Sequence, residues 1–203
     1  MNMKTSFLRK KLGILGGGQL GKMLINVTRK WSIETYILDP NPDCPCSKCC
    51  DLYFKGDFNN YQDVYNFGKK VDIITIEIEH VNVEALYRLE QEGIEVYPSP
   101  SNIELIQNKG IQKDFLKKNK IPTSDYKRFD NKQSLSKYIF KTKSKYPFIW
   151  KSETMGYDGK GVKLVQSFSD LDGINENSCV MEEFVDIKYE LAVLVARNKS
   201  GKS

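Results

Sequence analysis

Leu12-Gly13-Ile14-Leu15-Gly16-Gly17-Gly18-Gln19-Leu20-Gly21 is the stretch that decides how this chain folds. Its first four residues form a short apolar run of strand character, and the glycines after it mark a tight turn. From Lys22 to about Lys30 the spacing is helical, with Met23, Leu24 and Val27 as the apolar face. Strand, glycine turn and helix in that order make the first βα unit of a parallel sheet. In Gly16-x-Gly18-x-x-Gly21 the absent side chains permit close backbone approach, and the helix start offers unpaired N–H groups to a phosphate.

The alternation continues downstream. Thr35 to Leu38 reads as a second strand, ended by Asp39, where a ribose-binding acid stands in a dinucleotide site. Taken alone, that acid and the glycine turn suggest NAD. Pro40 to Lys48 holds three prolines and is a loop. Tyr53-Phe54 is a short strand, Asp63 to Lys69 a helix, Val71 to Ile78 a buried strand, Glu84 to Glu92 a helix stopped by Gly93, and Ile94 to Tyr97 a strand ended by Pro98 and Pro100. Residues 1–100 are therefore expected to form a Rossmann-like α/β domain with a parallel sheet.

Residues 101–203 differ. Asn102 to Asn119 is a long helical stretch with a break near Gly110, and Ser134 to Lys141 is a helix. Phe148 to Lys151 and Val162 to Val165 are strands flanking a glycine loop, a short helix follows at Ser169 to Leu171, and Cys179 to Glu182 and Tyr189 to Arg197 are further strands. This is mixed α+β. Asn198-Lys199-Ser200-Gly201 resembles a hairpin turn with no return strand after it, so the chain is expected to stop inside a domain, truncated at its C-terminus.

Composition narrows the function. In 203 residues, aromatics at 11% and recurring apolar runs exclude disorder throughout. No stretch approaches the roughly 18 apolar residues of a membrane span, and the start lacks the apolar core of a secretory signal, so a cytoplasmic protein is expected with no membrane partner. The formal charge of +5 comes from scattered lysines, a solvated surface rather than a nucleic-acid groove. Cys44, Cys46, Cys49 and Cys50 crowd together, with Cys179 apart, and leave two readings: a zinc site of awkward spacing, or free cysteines in a loop.

Three further motifs carry chemistry. In Thr75-Ile76-Glu77-Ile78-Glu79-His80, strand alternation would set Glu77 and Glu79 on one face where the strand leaves the sheet, a place for accepting sugar hydroxyls. Lys151 precedes Gly156-Tyr157-Asp158-Gly159-Lys160-Gly161, a glycine flap whose N–H groups and lysines suit phosphates. Glu182-Glu183-Phe184-Val185 can present backbone to a purine edge, with Glu190 a few residues on as a ribose acceptor.

In this order the motifs resemble the 5-(carboxyamino)imidazole ribonucleotide synthetases of the ATP-grasp superfamily. The likeness spans the whole chain. It rests on Gly16 to Leu24, Leu38-Asp39-Pro40, Gly56-Asp57-Phe58, Thr75 to Glu79, Gln107-Asn108-Lys109, Ile121-Pro122-Thr123, Gly156 to Gly161 and Glu182 to Val185. It implies a pre-ATP-grasp domain at 1–100 and the lid-bearing first part of an ATP-grasp domain at 101–203. The implied activity is a ligase that uses ATP to join bicarbonate to 5-aminoimidazole ribonucleotide through carboxyphosphate, in purine biosynthesis.

The resemblance also implies roles. Gly18, Gln19, Leu20 and Glu77 would hold the aminoimidazole ribonucleotide. Lys109, Lys151, Met155, Gly156, Tyr157, Asp158, Gly159, Lys160, Gly161, Glu182, Glu183, Phe184, Val185 and Glu190 would hold ATP. Tyr157, Asp158 and Lys160 are the catalytic candidates. Magnesium is implied as cofactor, with its acidic ligands beyond residue 203, so residues 1–203 alone are expected to show no turnover. A homodimer is implied as well. Alternatives from other classes are an NAD-dependent oxidoreductase and a non-catalytic ribonucleotide-binding module. A formate-dependent glycinamide ribonucleotide ligase shares the layout, but carries an acid where Gln19 stands.

Overall fold

The computed structural model describes residues 10–154, 156, 161–198 and 200–202. The chain divides into two compact units, residues 1–112 and 113–203.

The first unit is a parallel sheet of five strands: β1 (Lys11–Leu15), β2 (Glu34–Asp39), β3 (Leu52–Lys55), β4 (Ile73–Ile76) and β5 (Glu95–Tyr97), in the order β3-β2-β1-β4-β5. The connecting helices are α1 (Gln19–Thr28), α2 (Tyr61–Gly68) and α3 (Val83–Gln91), and α4 (Pro100–Gln107) follows β5. Asn60 starts α2 by accepting from Gln62 and Asp63 N–H, and Asn82 starts α3 by accepting from Ala85 N–H. Pro100 opens α4 at a position where a missing N–H costs nothing. One face of the sheet packs Leu15, Leu38, Phe67, Ile74, Leu86 and Leu89 into the main core. The strand order reverses between β1 and β4, and at such a switch point the strand ends leave a crevice for a ligand.

Two expectations for this unit are corrected. Met23, Leu24 and Val27 do not face the core; all three are exposed, and α1 buries Gly21, Ile25 and Thr28 instead. The small Gly21 lets the helix lie close to Cys46, so packing selects the face with the least bulk. The strand expected through Ile78 ends at Ile76. Glu77 N–H makes one last bond to Leu15 O at 2.8 Å, and the chain then bends, so Glu77 and Glu79 do not share a strand face.

Helix α5 (Lys109–Lys118) starts directly after Asn108, so the expected long stretch is two helices, and the break expected near Gly110 falls at Asn108. The second unit contains an antiparallel sheet of β6 (Tyr126–Phe129), β7 (Phe148–Ser152), β8 (Val162–Val165) and β9 (Cys179–Glu183), ordered β6-β9-β7-β8. The strand β6, too short and too basic for clear patterning, is absent from the sequence reading. Residues facing each other across antiparallel strands share a side. Phe129, Phe148, Trp150, Val165 and Cys179 thus lie on the side packed against α6 (Lys132–Thr142), with Leu135 and Ile139. Tyr126, Arg128, Ile149, Lys151, Val162, Leu164, Val180 and Glu182 share the other side. Residues 184–198 carry no regular structure, which corrects the strand expected at Tyr189–Arg197. A strand exists through its ladder, and among the described residues no partner strand pairs with this segment.

Core tightness gives a test. A Cβ on Gly68 would sit 2.3 Å from Leu89 Cδ1 and 3.0 Å from Ile74 Cδ1, and both partners are fully buried. Gly68→Ala is expected to lower stability by about 1–3 kcal/mol, read as a reduced urea midpoint.

Candidate functional site

The first site is built at the end of β1. Gly16 has φ +96°, a backbone setting that disfavours any side chain, and a Cβ there would lie 2.7 Å from Glu77 Oε2. At Gly18 a Cβ would lie 2.4 Å from Glu77 Oε1. The Glu77 carboxylate therefore occupies the room that these two side chains would need. Gly18 is the N-cap of α1 and supplies no side-chain cap, and no acidic residue stands in the helix's first turn. The N–H groups of Gln19 and Leu20 begin a ten-residue helix whose dipole favours an anion.

Neighbouring groups brace this turn. Asp39 is buried and accepts from Gly17 N–H at 2.7 Å and from Asn41 N–H at 2.8 Å. Both of its oxygens hold backbone, which removes the ground for reading it as the ribose acid of an NAD site. Gln107 Nε2 donates to Glu79 O and Val81 O, each at 2.8 Å, and so fixes the bend that follows Glu77.

The cysteine cluster lies against the same turn. A Cβ on Gly17 would meet Cys44 Sγ, Cys46 N–H donates to Gly17 O at 3.0 Å, and Cys46 Sγ donates to Gly18 O at 3.4 Å. Burial pushes the Cys46 thiol up to about 12 and raises those of Cys44 and Cys50. These sulfurs pack as small apolar groups with Ile14, Ile25 and Ile37. Among the described residues no group of three or more His, Cys, Asp or Glu is placed to hold a metal ion.

The second site lies on the side of the antiparallel sheet away from α6. Glu182 is 5% exposed. Its Oε2 accepts from Ser124 Oγ at 3.0 Å and Lys151 Nζ at 3.1 Å, and Lys113 Nζ stands 2.9 Å away. Its Oε1 lies 3.0 Å from Lys151 Nζ but takes no aligned hydrogen bond among the described residues. Burial pushes the Glu182 carboxyl up, and the two ammonium groups more than offset this, so it stays below the usual glutamate range. Beside this cluster Val162 and Leu164 are two-fifths exposed, an apolar floor next to a lysine. On the same side Arg128 bridges Glu153 and Asp114 at 2.6 Å each, and Asp114 accepts from Tyr126 Oη at 2.7 Å.

Of the sequence candidates, the structure brings Gly18 together with Glu77, and Lys151 with Glu182. Gln19 and Leu20 are exposed at the start of α1, and Lys109 opens α5. Glu183 ends β9, and Phe184, Val185 and Glu190 are exposed in the segment after it. Glu183 and Phe184 also line an open cleft of about 960 Å³, with Pro122, Tyr138, Pro147 and Phe148, whose lining includes neither Lys151 nor Glu182. Gly156 and Gly161 have φ of 120° and 80°, as a glycine loop requires. Met155, Tyr157, Asp158, Gly159 and Lys160 lie outside the described residues. The sequence reading missed Lys113 and Ser124, because their link to Glu182 spans 69 and 58 positions.

Two family models match this chain. Residues 9–107 match the ribonucleotide synthetase preATP-grasp domain, and residues 114–203 match the ATP-grasp domain. The N5-carboxyaminoimidazole ribonucleotide synthetase from Thermotoga maritima superposes with a TM-score of 0.82 at 36% identity, over 95% of this chain and 51% of that one. The chain carries a ribonucleotide synthetase preATP-grasp domain followed by an ATP-grasp domain. An N5-carboxyaminoimidazole synthase from Aspergillus clavatus, solved in complex with ADP and 5-aminoimidazole ribonucleotide, superposes at 0.77 with 29% identity, over 90% of this chain and 48% of that one. Phosphoribosylaminoimidazole carboxylase of Candida glabrata is 37% identical over 204 residues, 95% of this chain and 35% of its own length. The chain thus spans about half the length of the solved relatives and about a third of the fungal carboxylase.

The depressed Glu182 carboxyl fixes a sign. A carboxylate whose folded pKa is lowered contributes stability above its unfolded value near 4.5, lost as pH falls through the folded value. The second unit is expected to lose stability below that pH, and Glu182→Gln to flatten this acid limb in urea titrations.

Proposed function

We propose that this chain supplies the ribonucleotide site and the nucleotide site of an ATP-dependent carbon–nitrogen ligase. Its reaction would join bicarbonate to 5-aminoimidazole ribonucleotide, giving N5-carboxyaminoimidazole ribonucleotide for purine synthesis, with carboxyphosphate as the carboxyl donor. The observation that carries this reading is Glu77 seated against Gly16 and Gly18 at the sheet's switch point. The uncapped start of α1, at Gln19 and Leu20, suits the phosphate of a ribonucleotide. Glu77 suits an acceptor of its ribose hydroxyl or amine protons.

On the second unit, Val162 and Leu164 suit a purine face, Lys151 the phosphates, and the segment from Glu182 to Val185 the purine edge. Lys109, Glu190 and the loop from Met155 to Gly161 complete the nucleotide site in this reading, with Tyr157, Asp158 and Lys160 nearest the chemistry. Phosphoryl transfer is governed by positioning and charge neutralisation, and a glycine loop that closes keeps water from a labile acyl phosphate. Magnesium belongs to the reaction class, but the described residues form no group fit to hold it. We assign its ligands to residues outside 1–203.

The protein is further assigned to the cytoplasm as a homodimer. Five unpaired thiols support a reducing compartment, and the exposed apolar row of Leu20, Met23, Val27 and Trp31 supports a covered face. No helix among the described residues is long and apolar enough to cross a membrane. Sedimentation should show a dimer; a monomer at micromolar concentration would remove that assignment.

Titration calorimetry tests the ligand sites. The protein is expected to bind 5-aminoimidazole ribonucleotide, and Glu77→Ala to weaken that binding by about 10–100-fold while ATP binding is retained. Residues 1–203 alone should give no bicarbonate-dependent ADP. Binding of NADH in place of ribonucleotide would overturn the assignment.

A further inference from the structure

Two lysines face one buried carboxylate at Glu182, and they are held differently. Lys113, on α5, is 12% exposed in its side chain and lies 2.9 Å from Glu182. It also donates to Thr123 Oγ1 at 2.7 Å and Ser124 Oγ at 2.8 Å. Ser124 in turn donates to Glu182, so Lys113 is locked from several directions. Lys151, on β7, is 29% exposed, and among the described residues its polar partner is Glu182 alone. One ammonium group is thus fixed in a cage, while the other rests on the carboxylate at the edge of the apolar floor.

The pair carries a surplus of one positive charge. That surplus matters when an anion arrives. A buried carboxylate deprived of its cation is strongly disfavoured, so a lysine that is the sole partner of Glu182 could not leave it.

We propose that Lys113 is the standing counter-ion of Glu182, a positioning residue that frees Lys151 to move onto the phosphates of a bound nucleotide. This rests on the nucleotide reading of the second unit. Lys113 itself touches no ligand. It holds Glu182 ionised and in place, with Ser124, while Lys151 exchanges the carboxylate for phosphate oxygens. Without Lys113, Lys151 stays pinned to Glu182 and is lost to the nucleotide.

Calorimetric titration with ATP tests this on the unaltered protein, K113M, K113R, E182Q and K113M/E182Q. K113M is expected to weaken ATP binding by at least about tenfold, because Lys151, the cation left on Glu182, is then held there. K113R, which keeps the charge, should stay within about threefold of the unaltered protein. With Glu182 neutral there is no charge to strand, so K113M/E182Q should stay within about threefold of E182Q. A merely structural role for Lys113 would weaken the double variant as much as the single one, and that result overturns the inference. So does ATP binding by K113M within about threefold of the unaltered protein. If K113M yields no folded protein, the comparison of E182Q with K113M/E182Q decides alone. Failure of the unaltered protein to bind ATP overturns the nucleotide reading and this inference with it, an outcome distinct from both others.

Discussion

The room taken by the Glu77 carboxylate is the room that side chains at positions 16 and 18 would fill. That exclusion governs the first unit. It requires glycine at the turn, and it lets β1 pass into α1 without a capping side chain. It also puts a carboxylate from the end of β4 across the start of a helix from the end of β1. The two strands are neighbours in the sheet, and the strand order reverses between them. Sheet topology and side-chain volume therefore place one acid and one helix N-terminus at a common point, an arrangement that suits the proposed phosphorylated ribose.

The surrounding groups serve that point rather than compete with it. Asp39 spends both oxygens on the backbone of the turn and the following loop. Cys44 and Cys46 fill the space beside Gly17 and Gly21, where a larger residue would not fit. Gln107 fixes the bend after Glu77 from the far end of α4. In the second unit the same economy appears as charge balance. A sheet covered by α6 on one side turns Lys151 and Glu182 to the other, and Lys113 and Ser124 stabilise a carboxylate that burial alone would disfavour.

The points where the sequence reading departs from the structure share a cause. On α1 the apolar residues outnumber the small ones, yet Gly21 and Thr28 face the sheet because close approach there outweighs apolar area. Glu79 loses its expected partnership with Glu77 because the strand ends two residues earlier than the apolar run. Tyr189 to Arg197 has the composition of a strand without a ladder partner among the described residues. Pattern reports what a segment prefers; pairing decides what it becomes.

Local order in the chain was enough to determine the alternation of strands and helices, the glycine turn after β1, the glycine-bounded loop after Lys151 and the likeness to one family. Each depends on residues near one another in sequence, where backbone sterics and hydrophobic period act directly. Only the tertiary structure decided which oxygen faces which nitrogen. Glu77 reaches Gly16 and Gly18 across 61 and 59 positions, and Lys113 reaches Glu182 across 69. Nothing in a local window encodes such meetings. They follow from strand order and from the high cost of burying a charge without a partner, and that cost is settled only once the chain has folded.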